Sequence, residues 1–297
     1  MHTRRLTVPG PIALRESVQA SVARAVGRVP SRNGDVWWPL RTVDGPATLR
    51  LSRDGGHVVG EAWGDGADWV LERLPDLIGL DDDPSAFDPL PGVVRDLHRR
   101  RPGLRLGRTR LIFQTLIPVI LGQRVTSDAA RASYRALVRS LGEPAPGPID
   151  AWVPPPAEKL ASLDYADLHP LGVERSRAVI LVEAARRAHR LEQIVCQSRD
   201  DAYRVLTALR GIGPWSAGIV MGAAWGDPDA VPLGDYHLPH TVAGVLAGEP
   251  RGDDTRMVEL LEPFRGHRRR VVHLLQTSGI HAPRYGPRTA VREIRYS

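Results

Sequence analysis

The stretch "LRGIGPWSAGIV", Leu209 to Val220, carries two glycines two positions apart, then a proline and a tryptophan, between two runs of helical spacing. Gly211 and Gly213 let the backbone turn sharply and leave no Cβ to block a close approach. Pro214 suits a first helical position, where its missing N–H would have had no intrahelical partner. The run "PWSAGIVMGAAW" stops at Gly226, the residue type favoured just past a helix end. Upstream, "SRDDAYRVLTAL" (198–209) opens with Ser198 and Asp201 in capping-box-like spacing. The stretch is therefore a tight turn between two helices. The start of its second helix offers N–H groups suited to an anion such as a phosphate. By itself the turn leaves two readings open, plain helix packing or an anion grip.

What lies downstream narrows them. "WGDPDAVPLGDYHL" (225–238) is a Gly/Pro-rich loop ending at Asp235, placed to cap the next helix, "YHLPHTVAGVL". Upstream, "RLIFQTLIPVIL" (110–121) is an apolar helix ending at Gly122, and "SDAARASYRALVRSL" (127–141) is a helix with Ser127 as expected N-cap. "GEPAPGPIDAWVPPP" reads as a proline-rich loop, and "ERSRAVILVEAARRAH" (174–189) as an amphipathic helix. Residues 36–63 differ in kind. "VWWPLRTV", "PATLRLS" and "HVVGEAW" are β-rich runs separated by Asp44-Gly45 and Asp54-Gly55-Gly56, which are hairpin signals. "ADWVLERLPDLIGL" follows with helical spacing, and the Asp/Pro-rich stretch 81–92 marks a domain boundary.

Composition sets outer bounds. Apolar residues make up 42% and charged residues 25% of the 297-residue chain, as in an ordinary globular protein. No apolar run is long enough to span a bilayer, and "MHTRRLTVPG" has no apolar signal region. Cys196 is the only cysteine, so no internal disulfide or four-cysteine cluster can form, and a reducing, cytoplasmic setting is expected. The net charge is +6, and from Arg251 onward ten arginines face five acids. That asymmetry points weakly to a polyanionic partner.

The ordered array of helix, "LRGIGPW", helix, Gly/Pro-rich loop and aspartate, with 22 residues from Gly213 to Asp235, resembles the helix-hairpin-helix DNA glycosylase superfamily. "RPGLRLGRTRLIFQTLIPVILGQRVTSDAARASYRALV" is similar to the segment of bacterial DNA-3-methyladenine glycosylase II whose leading helix ends in Leu-Gly-Gln. "LHPLGVERSRAVILVEAARRA" is similar to its next helical pair. The resemblance implies an α+β fold. A small N-terminal antiparallel sheet with helices (1–90) would precede a large all-α region (91–285), with the active site between helical bundles, and a basic tail (286–297) would follow.

It also implies an activity: release of alkylated purines of the 3-methyladenine type from double-stranded DNA by a monomeric enzyme of base excision repair. Asp235 matches the catalytic aspartate. A carboxylate there would stabilise the oxocarbenium character of the sugar and orient water. Trp215 and Tyr236 match aromatic positions of the base pocket, where a cationic base is attracted by ring faces. Gly211, Gly213, Ser216, Gln123 and Arg124 match DNA-binding positions, with Arg124 as the residue that enters the emptied base stack. Backbone carbonyls of Thr207, Leu209 and Ile212 would hold a sodium or potassium ion. Strand-cutting relatives carry a Schiff-base lysine where Trp215 stands, and the only lysine, Lys159, is far upstream, so no lyase step and no iron–sulfur cluster are expected. The chain departs from the family at Arg124, which is not apolar, and at Leu275, where some relatives have a stacking tryptophan.

Rival readings remain at this stage: a glycosylase for oxidised or deaminated bases, a non-catalytic DNA-binding module, or a metal hydrolase built on Asp235, His237 and His240. Trp37 and Trp38 are further pocket candidates. Arg268, Arg269 and Arg270 face either phosphates or water.

Overall fold

The computed structural model describes residues 1–280 other than 24, 25 and 28. The expected basic tail, 286–297, lies outside the described residues. Five strands form one antiparallel sheet: β1 (His2–Thr7), β2 (Ser31–Arg32), β3 (Asp35–Thr42), β4 (Gly45–Asp54) and β5 (His57–Trp63), in the order β1-β5-β4-β3-β2. Residues of β3 and β5 alternate between buried and half-buried, as a sheet with one covered face requires. Leu49, Leu51 and Val58 point into a core closed by the helices Ala67–Glu72 and Leu74–Ile78. Strand β1 escapes the sequence reading. It is an edge strand with no buried residue, so it leaves no apolar alternation to find.

The helical part has two cores. The first surrounds the strongly apolar helix Ile112–Leu121 with residues of Ser127–Leu141, Arg175–Arg186, Arg199–Thr207 and Pro214–Val220. The second joins Val94 and Leu97, of the helix Val93–Arg99, to the C-terminal helices Leu238–Ala247, Asp254–Leu261 and Arg268–Thr277. The Gly/Pro-rich loop crosses from one to the other, with Ala230 in the first core and Leu238 in the second.

Several local expectations need correction. Thr126, not Ser127, is the N-cap of the 127–141 helix, because its hydroxyl accepts the Ala129 N–H. The proline-rich loop holds a short ladder, Glu143–Pro144 with Trp152–Val153. The helix expected over 174–189 ends at Arg186 and a separate one covers Ala188–Glu192. The run after Pro214 is α-helical to Val220, then widens into a π turn over Met221–Trp225.

Arg268, Arg269 and Arg270 follow neither reading. Arg268 pairs with Asp229 and Arg270 with Asp82. Arg270 also donates to Leu104 O at 3.1 Å, and Arg269 to Gly107 O at 3.1 Å. The run is a set of inward clamps: Arg269 and Arg270 tie the last helix to the segment 82–107, and Arg268 ties it to the Gly/Pro-rich loop.

Candidate active site

The hairpin closes through short backbone bonds. Leu209 N–H donates to Leu206 O and Ile212 N–H to Leu209 O, at 3.1 and 2.9 Å. Leu209 and Ile212 bury their side chains in the first helical core, which fixes the turn from below. The two glycines do different work. Gly211 has φ +86°, and a Cβ there would collide with Ile180. Gly213 is extended and exposed, with no atom within 4 Å of a would-be Cβ. Both glycines are exposed, but only at Gly213 is the space around the missing Cβ open to an incoming group.

Gln123 joins the end of the leading helix to this turn. Its Nε2 donates to Gly211 O at 2.9 Å and to the Ser216 hydroxyl at 3.0 Å. Ser216 is buried, so its side chain serves that contact. Arg124 comes next, exposed and at φ +56°, a left-handed conformation that a non-glycine residue adopts only at a cost of about 1 kcal/mol or more. The turn after Leu121 thus pushes Arg124 outward beside the hairpin.

Asp235 is held from two sides. Its Oδ1 accepts the N–H groups of His237 (2.9 Å) and Leu238 (2.8 Å), the start of the next helix. Its Oδ2 accepts the indole N–H of Trp215 at 3.0 Å. The helix starts at Leu238, two residues later than expected, with His237 and not Asp235 as its N-cap residue. Asp235 still accepts the N–H groups of both, and the same carboxylate is bonded to the hairpin helix. Trp215 is half-buried, with its ring reaching toward Gly122 at the end of the leading helix. Tyr236 is 77% exposed and packs only edge-on against His237 and His240.

The loop that carries Asp235 is pinned along its length by residues that sequence reasoning missed. Asp227, almost fully buried, accepts from Arg199 Nε (2.9 Å) and the Tyr203 hydroxyl (3.0 Å), both on the first hairpin helix. Burial and the neighbouring Asp227 push the Tyr203 phenol well above its ordinary pKa, so it stays a donor. Asp229 accepts the Gly266 N–H at 2.8 Å and pairs with Arg268. At Gly218 a Cβ would come within 2.7 Å of Val231 O, so only glycine lets the hairpin helix touch the loop backbone. Asp254 Oδ2 accepts the Gly234 N–H at 2.7 Å. The one legible signal for these contacts was the acidic spacing in "GDPDAVPLGD"; the hydrogen-bonding partners of these acids and of Gly234 are 20 or more residues away in the chain.

Other candidates lie elsewhere. Trp38 is buried in the N-terminal core, and Trp37 stacks on Trp63 at 5.7 Å under Arg50. Leu275 is fully buried in the second helical core. Lys159 is exposed on the short helix Ala157–Ala161. In the Asp235, His237, His240 string, His240 Nδ1 accepts the Gly252 N–H at 3.2 Å, and among the described residues no group of three or more His, Cys, Asp or Glu side chains could hold a metal ion. Among those residues no helix is long and apolar enough to cross a membrane.

Comparison with known proteins gives the fold and its sequence a context. No family model matches the chain. A Mycobacterium tuberculosis protein described as a probable bifunctional transcriptional activator/DNA repair enzyme AlkA is 31% identical over 175 residues, 56% of this chain and 34% of that protein. The chain therefore spans about a third of that relative's length. The DNA-3-methyladenine glycosylase of Bacillus subtilis is 27% identical over 207 residues, 66% of this chain and 67% of that protein. Among solved structures, a 3-methyladenine DNA glycosylase from Archaeoglobus fulgidus superposes with a TM-score of 0.77 over 92% of this chain and 97% of the other, at 19% identity. That likeness is one of fold, and it spans both the sheet and the helical cores.

Proposed function

We propose that this chain, which belongs to the helix-hairpin-helix DNA glycosylase superfamily, hydrolyses the N-glycosidic bond of alkylated purines in duplex DNA. The observation that carries the reading is the Asp235 carboxylate, fixed between the Trp215 indole and a helix N-terminus, at the junction of two helical cores and beside the exposed Tyr236. Breaking the bond leaves positive charge on the sugar, and a preoriented carboxylate stabilises that charge without having to reorganise during the reaction. The same group orients the attacking water. The damaged nucleotide has to leave the duplex to reach it. Tyr236 offers a ring face that attracts a cationic base, with Trp215 forming the inner wall.

The DNA grip follows the hairpin. Backbone N–H groups of Gly211, Gly213 and Ser216 face a phosphate, Gln123 holds the turn in shape, and Arg124 fills the vacated stack. Carbonyls of Thr207, Leu209 and Ile212 lie within one turn of chain, and they are the groups that would hold a sodium or potassium ion there; that of Leu209 already accepts one N–H. Such an ion would bridge the turn to the phosphate by charge alone. With tryptophan at 215 and Lys159 on an exposed helix, the reading has no lysine nucleophile, so the product is an intact abasic strand. The enzyme acts as a monomer, and its single cysteine fits a reducing cytoplasm.

The test is single-turnover incubation with duplexes bearing one defined lesion each, followed by alkali. Strand cleavage should appear only after alkali and be strongest for 3-methyladenine-type lesions. Asp235→Asn should slow base release by at least about 100-fold with duplex binding retained. Unchanged release would sink the reading in favour of a non-catalytic binding module. A preference for oxidised or deaminated bases would move the substrate class, and strand breaks without alkali would overturn the monofunctional assignment.

A further inference from the structure

Three arginines lie near the hairpin turn, and only Arg177 faces an acid, Glu174. Arg124 follows Gln123, and Arg210 precedes Gly211, so these two arginines sit on loops tied together by the Gln123 Nε2–Gly211 O bond. Both are exposed, and neither has a hydrogen bond, ion pair or ring contact among the described residues. Beneath them Arg177 is only 3% exposed. Its Nη1 donates to Leu121 O at 2.8 Å, three residues before Arg124. Its Nε and Nη2 are buried with no hydrogen-bond partner. The carboxylate that faces it, Glu174, is 3.9 Å away and half exposed. Ile180, one turn along the same helix, packs under Gly211. By contrast, each arginine of the run at 268–270 finds a close inward partner, a carboxylate for Arg268 and Arg270 and a carbonyl for Arg269.

We propose that Arg210 binds a DNA backbone phosphate immediately beside the gap that Arg124 enters. Its guanidinium fork matches two phosphate oxygens, which a backbone N–H alone cannot do. The buried charge of Arg177 adds to the attraction for an anion seated near it, since Glu174, half exposed and 3.9 Å away, offsets it only in part. Burial also holds the Arg177 pKa below its ordinary value, against the raising pull of Glu174. Because Gln123 ties the two loops into one unit, the phosphate held by Arg210 sets the register at which Arg124 meets the stack. The inference rests on the glycosylase reading for its partner, duplex DNA, but not on base release.

The test uses the full chain and fluorescence anisotropy with two labelled duplexes, one lesion-free and one carrying a tetrahydrofuran abasic analogue, from 50 to 200 mM KCl. Loss of one phosphate contact lowers the salt slope by about 0.9, so the affinity lost across that range should shrink by about 3- to 4-fold. Arg210→Gln should show this on both duplexes, with its melting temperature unchanged. Arg210→Lys should restore the slope, and Arg124→Gln should weaken chiefly the abasic duplex. An unchanged slope in Arg210→Gln, or an effect confined to the abasic duplex, overturns the proposal. A wild-type chain that binds with the expected slope but releases no base sinks the glycosylase reading and leaves this one standing. Full base release with a slope untouched by Arg210→Gln does the reverse.

Discussion

Asp235 accepts three hydrogen bonds, two from the backbone at the start of the following helix and one from Trp215 across the junction. A carboxylate so bonded keeps one orientation, which is what a developing cation needs from it. The indole N–H is the bond that ties this orientation to the hairpin. Trp215→Phe keeps most of the ring and removes the donor. Base release should fall about tenfold, equivalent to ~1.4 kcal/mol, with duplex affinity unchanged. Single-turnover rates at saturating enzyme check this, and a rate equal to wild type would mean that the indole does not set the carboxylate. Asp235 itself was singled out by the resemblance of the hairpin, loop and aspartate array to the glycosylase superfamily. Its bond to Trp215 was not, because a donor–acceptor pair 20 residues apart leaves no periodicity.

At the scale of elements, the leading helix Ile112–Leu121 depends on a buried acid. Glu192 accepts the N–H of Ile112 (2.8 Å) and of Phe113 (2.9 Å), satisfying two donors at the helix start. Burial pushes its pKa up to about 7, against the lowering pull of those two bonds. A raised carboxyl pKa means that the folded state binds the proton more tightly than the unfolded chain. The stabilisation is complete below about 4.5 and is lost as pH rises through about 7. Thermal melts should therefore fall between pH 5 and 8 by an amount on the order of 3 kcal/mol at most. Glu192→Gln should flatten that slope, and an equally steep decline in the variant would show that other groups cause it. The helices were readable as elements, since apolar spacing and Gly or Pro boundaries are local. Their caps were less so: Glu192 lies 80 residues from the helix it caps, and Thr126 took the cap that Ser127 also suited.

For the whole molecule, three cores must hold a fixed relation for Trp215, Asp235 and Arg124 to share one face. Arg270 is the main tie, 1% exposed, bridging the last helix to Asp82 and Leu104. Arg270→Met preserves bulk but leaves Asp82 half-buried without its cation. It should cost about 3 kcal/mol, read as a lower urea midpoint, because an unmatched buried charge outweighs the methylenes retained. A midpoint within about 0.5 kcal/mol of wild type would show that Asp82 finds other partners.

By itself the sequence determined the α+β division, the hairpin, the helix after the Gly/Pro-rich loop and the candidate aspartate, because turns, caps and apolar periodicity act over a few residues. Tertiary structure alone decided that the edge strand β1 completes the sheet and that the basic run at 268–270 turns inward. It also decided that the Asp235 loop is held by Arg199, Tyr203, Arg268 and Asp254, and that Arg210 stands unmatched beside Arg124. Charge pairing and burial depend on which distant segments meet, and no local pattern encodes that meeting.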